Sequence, residues 1–85
     1  MRVFVKCRVR VGMFDTEYLV QVEGTSTLVS RRSVRVKSAP SPEVDGEVSA
    51  YLVKQAEGKA LVELPGEPVV GGTRAWIPDG TFAFA

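Results

Sequence analysis

From Val3 to Val11 the chain alternates without a break. Val3, Val5, Cys7, Val9 and Val11 share one parity; Arg2, Phe4, Lys6, Arg8 and Arg10 share the other. A two-residue period of this length predicts a half-buried strand with valines inward and cations in water. "GMFD" reads as a turn, and residues 17–23 as a second strand with Tyr18, Val20 and Val22 on one face. "EGTS" turns again, and 27–37 reads as a third strand with an irregularity at Ser30-Arg31-Arg32. In its tail, Val34 and Val36 oppose Ser33, Arg35 and Lys37. Short glycine-containing connections favour antiparallel neighbours, so these three strands are expected to form a meander.

"SAPSPEVDG" has no period and predicts a linker over 38–46. Beyond it, Glu47–Lys54, Lys59–Leu64 and Val69–Ile77 read as strands, separated by turns at "QAEG" and "PGEP". "PDG" is a further turn, in which proline presets one dihedral and glycine tolerates positive φ. "TFAFA" closes as a short strand or extended tail, and no window carries a helical period. The reading is all-β, with six or seven strands in one domain over residues 1–85.

The second half echoes the first. "YLVQVEGTSTLVS" (18–30) and "ALVELPGEPVVGG" (60–72) overlay at an offset of 42, matching Leu19, Val20, Gly24 and Arg32 to Leu61, Val62, Gly66 and Arg74. This suggests an internal duplication with half-repeats 1–38 and 44–85, or the ordinary likeness of two valine hairpins. Two copies are too few for a solenoid, and each is too short to hold a core alone, so both must share one. Short strands, tight turns and this length suit a small antiparallel barrel or a compact two-layer sandwich. In layout the chain resembles the Src-homology-3-like and Tudor-like small barrels; it carries no peptide-binding signature and no aromatic cluster that would build a methyl-lysine cage.

Composition narrows the function classes. Of 85 residues, 45% are apolar and 25% charged, an ordinary globular balance. No apolar run reaches the roughly 18 residues of a membrane helix, and the charged start does not resemble a signal peptide. A cytoplasmic protein is expected, in agreement with a single cysteine that has no internal partner. Histidine is absent, which removes Ser-His and Cys-His pairs, the usual neutral-pH base and the commonest zinc ligand. No enzymatic activity, cofactor or metal is expected.

Charge is distributed unevenly. Residues 1–38 hold eight Lys/Arg and three Asp/Glu, a net of +5; residues 39–85 hold three and seven, a net of −4. If the first and third strands share a sheet, Lys6, Arg8, Arg10, Arg31, Arg35 and Lys37 form a cationic face able to grip a nucleic acid or another polyanion. Phe4, on the same parity, could stack on a base. The competing reading is a solvated outer face whose cations pair with the acidic half. A third uses the complementary halves to join two copies, or this chain to a protein partner. Gly71-Gly72 predicts a bulge or tight bend, and the offset of 42 places Trp76 on inward Val34, hence in the core. Cys7 lies among valines and reads as an inert apolar group. Asp15/Glu17 and Asp45/Glu47 read as turn formers.

Overall fold

A computed structural model describes all residues, Met1–Ala85. The chain is all-β, with nine strands in one curled antiparallel sheet that forms a half-barrel. These are β1 (Arg2–Val11), β2 (Glu17–Val22), β3 (Thr25–Ser30), β4 (Val34–Val36), β5 (Glu43–Ala56), β6 (Lys59–Glu63), β7 (Glu67–Val70), β8 (Arg74–Pro78) and β9 (Phe82–Phe84). Sheet order is β7-β3-β2-β1-β5-β6-β8, with β4 on β5 and β9 on β1. No helix is long and apolar enough to cross a membrane.

Alternation explains the core. Val3, Val5, Cys7 and Val9 of β1 are buried beside Val20 and Val22 of β2, Val48 and Ala50 of β5, and Ala60 and Val62 of β6, in one cluster drawn from both halves. β1 and β5 form its spine, paired from Arg2↔Tyr51 to Arg10↔Glu43. Each then divides its other edge between two strands. β1 takes β9 at Val3–Val5 and β2 at Arg8–Val11, while β5 takes β4 at Gly46–Val48 and β6 at Tyr51–Ala56.

That division repeats across the two halves. The pair Glu17↔Ser30 of β2·β3 has its counterpart in Lys59↔Pro78 of β6·β8. The bond from Arg31 N to Thr16 O recurs as Asp79 N to Gly58 O. Short 3-10 turns follow at Arg31–Ser33 and Asp79–Thr81. β4 then crosses to β5 through Val34↔Val48, as β9 crosses to β1 through Phe82↔Val5. The pairings of the two halves therefore correspond in order, with one difference: β5·β6 shifts register between Leu52 and Lys54, while β1·β2 runs without a bulge. Each half gives its last strand to the other, β4 to β5 and β9 to β1.

The offset is 42 from β2 to β6 but 48 from β3 to β8, because Pro65–Gly72 replaces the two-residue turn Glu23-Gly24. This longer connection explains two departures from the sequence reading. Residues 69–77 are not one continuous strand: β7 pairs with β3, and β8 with β6. All steps along the sheet are antiparallel, so β7 and β8 run in the same direction; the chain changes partners at Gly71-Gly72, with φ of +76° and +74°. Trp76 therefore corresponds to Leu28, not Val34, and faces out with 43% exposure, while its neighbours Ala75 and Ile77 are buried.

Other expectations are corrected. Residues 27–37 are two strands, and β4 leaves the meander to pair with β5. Residues 43–46, expected in the linker, begin β5: Glu43 and Asp45 point outward and Val44 and Gly46 inward, so the period of two was present beneath a turn-like Asp-Gly. Val11 is exposed because β5 pairing ends one residue earlier, at Arg10↔Glu43. Inside, Thr27 is fully buried and its hydroxyl has no partner; Ala75 occupies the equivalent position.

Candidate functional site

The outward side chains of β1 and β5 stand directly opposite one another: Lys6↔Glu47, Arg8↔Asp45 and Arg10↔Glu43. Arg8 Nη1 lies 2.5 Å from Asp45 Oδ1, and its Nη2 lies 3.1 Å from Glu43 Oε1. Hydrogen bonds to Glu43 and then Asp45 hold the Arg8 guanidinium above its ordinary pKa, and Arg8 in turn holds the Glu43 carboxyl below the usual carboxylate range. Arg35 Nη2 donates to Glu47 Oε1 at 2.9 Å, and its guanidinium sits 3.5 Å from the Phe4 ring centroid. Phe4, expected to be free for a base, is thus covered by an arginine of its own chain.

Of the six cations singled out, Lys6, Arg8, Arg35 and Lys37 line one open groove of about 970 Å³; Arg10 and Arg31 do not. Glu23, Asp45 and Glu47 share that lining, so its charges nearly balance. Arg31 instead lies 4.6 Å from the Tyr18 ring centroid, a cation–π contact on its own strand neighbour. Lys6, Arg10, Arg31 and Lys37 enter no ion pair. A polyanion at this groove would have to displace carboxylates from Arg8 and Arg35 before it met them. The +5 and −4 halves likewise meet within one molecule along β1·β5 and β4·β5, through exposed pairs that water and salt screen.

Cys7 sits on the apolar side of the same strand. Burial, then the nearby carboxylates of Glu47 and Asp45, push its thiol from an ordinary value of 9.0 up to about 12. A thiolate is the reactive species, so this cysteine is inert at neutral pH. The shift has a sign that can be measured. Between pH 9 and 12 the unfolded chain has lost the thiol proton while the folded chain keeps it, so stability is complete below pH 9 and falls as pH rises through that window. The loss is about 1.4 kcal/mol per pH unit. Urea unfolding at pH 8, 9, 10 and 11 is expected to show a steeper decline for the native chain than for Cys7→Ala. Parallel declines would show that the thiol does not set the alkaline limit.

A second feature lies on the outer face of β5, β6 and β8, where Lys54, Leu61 and Trp76 form one cross-strand row. Trp76 borders a hollow of about 540 Å³ with Lys54, Ala56, Glu57 and Lys59. The Lys54 ammonium lies 5.6 Å from its ring centroid. One step along β8, Arg74 Nε donates to Glu63 Oε1 at 2.6 Å, and Thr73 Oγ1 donates to Glu63 Oε2. These bonds lower the Glu63 pKa, the Thr73 bond acting most strongly. The position of Trp76 was legible in principle, since "RAWIP" alternates with Ala75 and Ile77 on one parity; the constant offset of 42 concealed it. No known protein-family model, curated protein or solved structure matches this chain.

Proposed function

We propose that the chain is a non-catalytic interaction module whose partner is another protein. The observation carrying this reading is Trp76, a large aromatic side chain left 43% exposed in a hollow beside Lys54 and Lys59. Tryptophan buries much apolar area with few rotatable bonds and is concentrated at interface hot spots, which makes an exposed one on a rigid strand a natural anchor. The polyanion reading has less to stand on, because Arg8 and Arg35 are engaged by Glu43, Asp45 and Glu47. Self-assembly through complementary halves loses its motive for the same reason. A sequence without histidine and a protonated Cys7 favour binding over catalysis. A lone cysteine suits the cytoplasm.

Trp76 is the only tryptophan, so its fluorescence reports on this surface alone. A phage-displayed random decapeptide library is expected to yield binders that shift Trp76 emission and, by calorimetry, lose at least tenfold in affinity on Trp76→Ala. Single- and double-stranded 20-nucleotide probes at 100 mM salt are expected to leave the emission unchanged. No enrichment over the Trp76→Ala protein overturns the reading. So does oligonucleotide binding abolished by Lys6→Ala with Lys37→Ala, which transfers the function to the cationic groove.

A further inference from the structure

We propose that the open edge of β8 binds an extended peptide as an added antiparallel strand, with a large apolar residue opposite Trp76 and carboxylates toward Lys54 and Lys59. This rests on the interaction-module reading and specifies the partner's conformation and chemistry.

The molecule contains its own precedent. Arg31 N bonds Thr16 O, so by the alternation of an antiparallel ladder the backbone groups of Ser26 and Leu28 face away from β2. β7 lies on that edge, pairing Val70 with Ser26 and Glu67 with Leu28. In the other half, Leu64 N bonds Thr73 O and Asp79 N bonds Gly58 O, which fixes the phase of β8. The N–H and C=O groups of Arg74 and Trp76 therefore face away from β6, in the register equivalents of Ser26 and Leu28. No strand pairs with them, because β8 ends the sheet. The occupant is missing for a topological reason: the strand on the β3 edge comes from the long Pro65–Gly72 connection, and its counterpart in the first half is only Glu23-Gly24.

The two ends of the sheet differ in readiness. On β7, Pro68 pairs with Thr27, so its missing N–H falls on the outer side and blunts that edge. On β8 the proline is Pro78, beyond Trp76, and the donors of Arg74 and Trp76 remain. Backbone bonds to such an edge supply affinity, and alternate side chains supply selectivity. A residue opposite Trp76 extends the row Lys54–Leu61–Trp76. Lys54 and Lys59 enter no ion pair, whereas Arg74 is held by Glu63. Glu57, on the same hollow, is also unpaired, so the free charge there sums to +1, and carboxylates in the partner are favoured on the Lys54 and Lys59 side.

The probe is a synthetic octapeptide alternating valine with glutamate around a central phenylalanine, titrated against the full chain while Trp76 fluorescence is followed. Two N-methylated forms decide the geometry, since a strand addresses its neighbour through every second amide. Methylation of one alternate set is expected to weaken binding at least tenfold, and of the other set less than twofold. Slowed amide exchange at Arg74 and Trp76 on binding is the second expected result. Trp76-dependent binding that responds equally to both methylated sets, or protection on β4, β7 or β9 instead, overturns strand addition while leaving the interaction-module reading intact. No binding of the octapeptide at 1 mM overturns the stated peptide chemistry. Binding that calorimetry finds unaffected by Trp76→Ala, a variant without the fluorescent side chain, removes the broader reading as well.

Discussion

Val62→Asp is expected to leave no folded protein at 25 °C, while Leu61→Asp, one residue earlier, melts within a few degrees of the native chain. Val62 is fully buried, paired with Leu52 on one side and Ala75 on the other. It belongs to one core cluster with Val20, Val48, Val5 and Ile77, and the only buried polar residues are Thr25, Thr27 and Ser49, none of them charged. An unpaired carboxylate there costs several kcal/mol, against a total stability of about 5–8 kcal/mol for a domain this small. Leu61 points outward between Lys54 and Trp76, where an aspartate keeps its water and gains a nearby ammonium. Val20, the β2 counterpart of Val62, is also fully buried, so Val20→Asp should be as damaging. Circular-dichroism melts of the three variants check this. Equal losses at 61 and 62 would mean that β6 is shifted by one residue, since such a slip exchanges its two faces.

How far the sequence reveals this fold depends on where alternation is clean. β1, β2 and β6 alternate, and apart from exposed Val11 and half-buried Tyr18 the residues expected inward are buried: Val3, Val5, Val9, Val20, Val22 and Val62. β5 was foreseen only from Glu47, because Asp45-Gly46 imitates a turn; local propensity there yields to a long pairing with β1. β7 is the opposite case. Its four residues are all exposed, so burial imposes no period on it, and only the β3 edge makes it a strand. The offset of 42 holds from β2 to β6 and gives way to 48 from β3 to β8. A connection six residues longer shifts everything beyond it, which sent Trp76 to the wrong face.

The site was less legible, for a reason that lies in register. Parity tells that Arg8 and Arg35 face water. It does not tell what stands across from them, because that depends on how two strands far apart in sequence align. Asp45 and Glu47 complete the answer, and they had been set aside as turn residues. Parity puts the six cations in water, and register decides which of them meet a carboxylate: Arg8 and Arg35 do, while Lys6, Arg10, Arg31 and Lys37 enter no ion pair. Open edges are harder still to foresee: β8 is unpaired on one side only because the β2–β3 turn is short, a fact about a distant loop.

Gly66→Ala is expected to be the most damaging single-methyl change in the chain, with a loss of about 3 kcal/mol or more. Gly66 has φ of +85°, and a Cβ built on it would lie 2.0 Å from the Leu28 carbonyl oxygen and 2.9 Å from Val29 Cγ1. Neither neighbour can yield freely: that oxygen belongs to the β3 backbone, and Val29 is buried in the core. The chain must therefore lift β7 away from β3. Two other glycines separate this clash from conformational strain alone. Gly58 has φ of +78° but open space around it, so Gly58→Ala should cost only about 1–2 kcal/mol. Gly24, which the offset of 42 matches to Gly66, has neither positive φ nor a neighbour within 4 Å, and Gly24→Ala should stay within about 0.5 kcal/mol. Urea unfolding ranks the three. Amide exchange locates the damage: in Gly66→Ala the Ser26 and Leu28 amides, which face β7, should lose protection while the β5·β6 ladder keeps it. Equal, mild losses at 24 and 66 would place β7 off the β3 edge, and would remove with it the precedent for a strand on β8.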